Sequence, residues 1–199
     1  MFQAGWPQLW VDELFGYLGS GRGYKASEWY SAQRSSIQKA GFNRNDESAL
    51  RGSAIVKFRY RKVPDNTNPK SSWISRPYVD VRLYHGNKYD HVRALIDTGA
   101  DNSLFHSSIA KNLGIDLKAG RFQEFAGIAA GSTIDVCFHP IQLQIQGFSN
   151  GIDYEAGFTE SDWVGALLGQ SGFFDHYLIT FQRYKGRFEI KDRPPAVML

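Results

Sequence analysis

The chain has 199 residues, 42% of them hydrophobic and 22% charged, so it is long and apolar enough to bury a core without disulfides or metals. Its net charge of +3 is too small to point to nucleic acid, and its one cysteine, Cys137, excludes an internal disulfide and a thiolate zinc cluster. No apolar run approaches the ~20 residues of a membrane helix. The first residues, Met1-Phe2-Gln3-Ala4-Gly5-Trp6-Pro7, lack the basic start and apolar stretch of a signal peptide, so a reducing cytoplasm is the expected compartment.

In chain order, Trp10, Leu14, Phe15 and Leu18 predict a short amphipathic helix that stops at Gly19-Ser20-Gly21. A second helix is expected from Ser27, a suitable N-cap, to Gly41, with Trp29, Ile37 and Ala40 on its apolar side. Ala54, Val56, Phe58 and Tyr60 alternate with Ile55, Lys57, Arg59 and Arg61, as in a strand with one basic face. Pro64-Asp65-Asn66-Thr67-Asn68-Pro69 reads as a linker. Beyond it come short strands: Val79 to Tyr84, Tyr89 to Ile96, Ile141 to Ile145, Ile152 to Phe158, and a hairpin of Leu178–Phe181 with Phe188–Ile190. Ser107 or Ser108 is expected to cap a short helix carrying Ile109 and Leu113 and ending at Gly114. The pattern is that of a mostly-β domain closed as an irregular barrel, preceded by a small α+β extension over residues 1–72.

The informative segment is Ala94-Leu95-Ile96-Asp97-Thr98-Gly99-Ala100-Asp101. A strand that buries its end and then turns sharply places Asp97 at the rim of a hydrophobic core. Burial raises a carboxyl pKa, because the charged form loses hydration. Gly99 allows close backbone approach, and Thr98 offers a hydroxyl. An ordinary Asp in a turn after a strand is the plain alternative.

Two further segments follow in order: Ala126-Gly127-Ile128-Ala129-Ala130-Gly131, and Ala166-Leu167-Leu168-Gly169 followed by a short helix around Gly172 to Tyr177. Together with the Asp-Thr-Gly segment they resemble the retropepsin-like (retroviral-type) aspartic proteases over roughly Trp73 to Lys191. The Gly172-Phe173-Phe174 stretch is most similar to the bacterial members. The resemblance implies a closed six-stranded-type acid protease barrel with one or two short helices, occupying residues 73–199.

It further implies an aspartic endopeptidase needing no cofactor and no metal. Asp97 is the catalytic carboxylate, supported by Thr98 and Gly99. Residues 127–131 form the flap, and Leu167, Leu168, Gly169 and Gln170 form the second signature. The extended peptide substrate is expected to meet Ala100, Asp101, Gly127, Ile128, Trp163 and Val164. A core position is the alternative for Trp163.

The chain holds one Asp-Thr-Gly and no Asp-Ser-Gly, so the expected active species is a homodimer with Asp97 from each subunit at the two-fold axis. Many viral members carry Arg where this chain has Gln170; the amide is expected to donate to Asp101 without a guanidinium's charge. A catalytically silent peptide-binding or dimerisation module of the same fold is the rival reading. The five histidines lack metalloprotease spacing, His85 and His91 are expected to be solvated, and Cys137 is expected to be a small core residue. Lys57, Arg59, Arg61 and Lys62 read as a solvated face, with membrane absent and nucleic acid disfavoured as partners.

Overall fold

The computed structural model describes residues 55–64, 73–126 and 133–193. The helices expected before Gly41 lie outside them. The strands are β1 (Ile55–Arg59), β2 (Arg61–Pro64), β3 (Trp73–Arg76), β4 (Tyr78–His85), β5 (Lys88–Ile96), β6 (Leu104–His106), β7 (Arg121–Ala126), β8 (Thr133–Ile145), β9 (Ile152–Thr159), β10 (Ala166–Leu168), β11 (Tyr177–Gln182) and β12 (Arg187–Asp192). Among the described residues one regular helix, α1 (Ser107–Leu113), interrupts them.

Alternation closes the barrel. Val79, Val81 and Leu83 of β4 point inward and are almost fully buried. Val81 lies opposite Val92 of β5 on one side and Ile145 of β8 on the other, so one level of the core is three branched side chains from three strands. The strand order β4-β5-β10-β6-β9-β8 returns to β4 through the β4–β8 pairing, giving a closed ring of six, with β7 added to β8 outside it. The mostly-β fold thus agrees with the sequence pattern, and the six-stranded closure with the resemblance.

Helix α1 packs Ile109, Ala110 and Leu113 inward and stops at Gly114, whose φ of +68° suits glycine. Its cap is His106 rather than a serine: the ring Nδ1 accepts the Ser108 N–H at 3.2 Å, as a capping Asn would. The expected last helix is an irregular turn over Gln170–Phe174, broken where Gly172 takes φ +85°, and Tyr177 already belongs to β11. His91 is buried, not solvated, because on the face of β5 away from Val92 it lies opposite Arg82 and meets the Tyr89 ring edge-on at 5.6 Å. Cys137 is half-buried on the long strand β8 rather than a full core residue.

The strand expected at 54–61 divides after Arg59. Its first part, β1, pairs antiparallel with β12, which pairs with β11, so residues from before the linker complete a sheet made by the end of the chain. Phe58 stacks on Phe188 at 5.3 Å and Tyr60 meets the same ring edge-on at 5.6 Å. The next strand, β2, pairs with β3, and Arg61 reaches Asp80 of β4 at 2.7 Å. Asp80 is buried and also holds Arg93 at 2.7 Å.

Candidate active site

Three strand ends converge at Asp97. The short strand β10 inserts between β5, to which it runs parallel, and β6, to which it runs antiparallel. Its apolar Ala166-Leu167-Leu168 is buried on both sides, which is why the segment carries no polar alternation. Asp97 follows β5 directly and donates its N–H to Leu168 O at 3.0 Å. Its Oδ1 accepts the Gly99 N–H at 2.9 Å. Oδ2 is buried and accepts no hydrogen bond among the described residues.

The side chain is only 4% exposed. Burial pushes its pKa up, while the Gly99 amide, the positive charge of Arg76 and the Ala100 amide pull it down less strongly. Arg76, at the end of β3, was not singled out in the sequence; no local motif marks a cation that reaches the site from another strand.

The two signatures are stitched together by main chain. Gln170 N–H donates to Ala100 O at 2.7 Å, and Ser171 N–H donates to Asp101 O at 2.8 Å. The Gly169 N–H donates to Ser103 Oγ at 3.1 Å, and Ser103 is fully buried. A Cβ on Gly169 would fall on the Asn102 carbonyl and within 2.7 Å of Ala100 O, so this glycine is required by close approach. Ser103 is also absent from the sequence reading, since a serine at a strand start carries no distinct signal.

Gln170 departs from expectation. Its side-chain amide donates to Thr98 O at 2.6 Å, not to the Asp101 carboxylate. With its own N–H fixed on Ala100, the side chain reaches back along the Asp-Thr-Gly turn. Thr98 and Gly99 are exposed at the tip of that turn, as is Asp101.

Ala100 and Val164 are both buried, in a cluster with Leu104, Val136, Phe138 and Leu167, beside the base of the β7–β8 hairpin. Trp163 is 47% exposed next to Val164, so it is not a core aromatic. Gly127, Ile128 and the rest of the flap tip lie outside the described residues; the flanking strands pair down to Ala126 opposite Thr133. Among the described residues no group of three His, Cys, Asp or Glu is placed to hold a metal. No helix among them is long and apolar enough to cross a membrane.

Residues 85–174 match the family model described as "gag-polyprotein putative aspartyl protease". The span takes in the Asp-Thr-Gly turn, the β7–β8 hairpin and the Ala166–Gly169 segment in order. Over that stretch the chain is similar to the retropepsin-like aspartic proteases. Solved retropepsin-like structures are similar to it. A retropepsin-like aspartic protease from Rickettsia conorii is 13% identical, with a TM-score of 0.48 over 71% of this chain and 94% of that one. The EIAV protease complexed with the inhibitor HBY-793 is 21% identical, with a TM-score of 0.38 over 50% and 86%. The retroviral protease-like domain of Ddi1 from Leishmania major is 16% identical, with a TM-score of 0.41 over 63% and 99%. No match is found among curated proteins.

Proposed function

We propose that the protein is an aspartic endopeptidase whose active unit is a homodimer. The observation that carries this reading is Asp97: a buried carboxylate at the meeting of three strand ends, with Oδ2 unpartnered among the described residues. A second Asp97 across a two-fold axis would supply the missing partner. Two such carboxylates cannot both ionise; they share a proton and titrate as a pair. The ionised member acts as general base on a water, which attacks the peptide carbonyl, while the protonated member donates to the carbonyl oxygen.

The substrate lies extended, recruiting strand-type hydrogen bonds from Gly99 and Asp101 and from Gly127 and Ile128 of the flap. Ala100 and Val164 form an apolar floor and Trp163 and Ile128 the rim, which favours hydrophobic residues around the cut. Leu167, Leu168, Gly169 and Gln170 hold the turn from below. Residues 73–199 form the protease domain, and the reducing cytoplasm is the proposed compartment for its free thiol.

The test is a peptide library incubated with wild type and with Asp97→Asn, alongside sedimentation. Cleavage by wild type alone, with activity confined to the dimer, is expected. Cleavage that persists in the Asn variant, or a fully active monomer, refutes the mechanism. Binding without cleavage at any pH identifies the peptide-binding module instead. Ala100 carries no hydroxyl to stabilise the ionised pair, so the rate maximum is expected in mildly acidic solution; a maximum near roughly pH 2–3 contradicts this.

A further inference from the structure

The fold gathers cations that are far apart in sequence. On the outward face of the β1–β12–β11 sheet, Arg59 lies directly opposite Arg187, and Lys57 lies opposite Glu189. Lys57 and Glu189 pair at 3.8 Å, which uses the acidic side chain of that row. Like charges directly opposite each other across strands are destabilising. The Arg59–Arg187 row is therefore a cost to the free protein that a bound anion would remove.

The Arg187 guanidinium is pre-oriented, its Nε donating to Gln182 Oε1 at 2.7 Å. The turn Arg183–Lys185 lies at the same end of the sheet, where Tyr60 N–H donates to Gly186 O at 3.0 Å. The Arg183 guanidinium lies 5.1 Å from the Tyr60 ring centre, and Lys185 Nζ lies 5.1 Å from that of Tyr184. Among the described residues none of Arg59, Arg183, Lys185 and Arg187 is ion-paired with a carboxylate.

Tyr184 decides between ligand classes. It is 83% exposed, more than any other large hydrophobic residue described, and stands between two cations. An acidic peptide would use the charges and leave this ring idle. Unstacked bases use both, since every base has a face that stacks on an aromatic side chain while phosphates meet the cations.

We infer that the end of the C-terminal sheet formed by Arg59, Arg183, Tyr184, Lys185 and Arg187 is a binding site for single-stranded nucleic acid. The inference does not rest on Asp97 or on peptidase activity. The small net charge of the whole chain does not oppose it, because the site depends on where the charges lie rather than on their sum.

The experiment is fluorescence anisotropy of the full chain with labelled oligothymidine and oligouridine of about 20 nucleotides, titrated with salt, and with polyglutamate of equal length as comparison. Four phosphate contacts predict a log–log salt slope of about −3. Arg59→Gln and Arg187→Gln should each make the slope shallower by about 0.7. Arg59→Gln should not lower the melting temperature, since it relieves the opposed pair. Tyr184→Ala should weaken oligonucleotide binding by about 5- to 100-fold, leave the slope unchanged, and not affect polyglutamate. Lys118→Gln, at an exposed cation elsewhere, should change nothing. Absence of oligonucleotide binding at low salt, indifference to Arg59→Gln and Arg187→Gln, an equal loss in Lys118→Gln, or polyglutamate binding as tight as oligonucleotide each overturns the inference.

Discussion

Gly169→Ala tests whether the second signature is locked against the Asp-Thr-Gly turn. Gly169 has φ −98°, ordinary extended backbone that any residue adopts, so the substitution carries no conformational strain of its own. Its effect is contact alone: the new Cβ meets the Asn102 carbonyl and comes within 2.7 Å of Ala100 O. Both are main-chain atoms, and the loop that bears them is held by the Gln170 N–H at 2.7 Å, so neither side yields freely. Overpacking costs about 1–3 kcal/mol. Moving Gly169 away also breaks its buried bond to Ser103 Oγ, for about 1–3 kcal/mol more. The total of roughly 2–6 kcal/mol corresponds to about 5–20 °C in Tm for a chain of this size. Gly186→Ala is the reference: φ is +62° there with nothing within 4 Å, so the cost is conformational, about 1–2 kcal/mol. Thermal and urea unfolding of both variants measure the difference. A Gly169→Ala protein within 0.5 kcal/mol of wild type, or no less stable than Gly186→Ala, would refute the close contact.

Asp97→Asn should stabilise the fold at pH 7. The native carboxyl has a raised pKa, so ionisation above that value costs folding free energy that the amide avoids. The gain should vanish below the unfolded carboxyl value of 3.8, where both states are protonated; a constant gain across pH in urea melts would be inconsistent with burial as its cause. Arg76→Gln removes a charge that lowers the Asp97 pKa, so the acidic limb of the kcat/KM profile should move to higher pH; a downward move would contradict the assignment. Asp80→Asn strips the charge that Arg61 and Arg93 share, and should cost about 3 kcal/mol, the low end for a buried pair because Arg61 is half-exposed. A loss under 0.5 kcal/mol would place the network among surface pairs. Phe58→Ala removes the ring stacked on Phe188 and should destabilise by about 3 kcal/mol, with an unchanged melt showing that β1 adds nothing to the core.

The barrel was legible because its strands obey a period of two and its site is local in sequence. Val79-Asp80-Val81-Arg82-Leu83 announces one buried face, and Ala94 to Asp101 carries the turn and its carboxylate in one run. What remained hidden is non-local. Nothing in residues 54–61 states that β1 will pair with β12 more than a hundred positions on, because any amphipathic strand would present the same alternation. The Gln170 amide was expected on Asp101, the nearest acid by resemblance, whereas the main-chain bond of the same residue to Ala100 fixes its reach. His91 was read as solvated from its place near Gly86-Asn87, but the register puts it opposite Arg82 inside a three-strand overlap.

The place of β1 bears on what the segment before residue 72 is for. A packing extension of the barrel would bury apolar side chains against its core. Here Val56, Phe58 and Tyr60 pack on the buried cluster that contains Phe188 and Ile190, and five register pairs join β1 to β12. Gly147 allows the approach: a Cβ there would lie 3.1 Å from a Val56 methyl. Arg61 adds a charge-assisted bond to a buried carboxylate on β4. A cut in the Pro64–Pro69 linker would sever the chain without removing these contacts, so residues 55–61 would remain as a bound strand. They act as part of the fold, and the edge of β12 that they cover is closed to pairing with a second chain. Any strand-to-strand pairing between two copies through this sheet is therefore left to the outer edge of β1 or to β11, which carries the exposed Leu178 and Phe181.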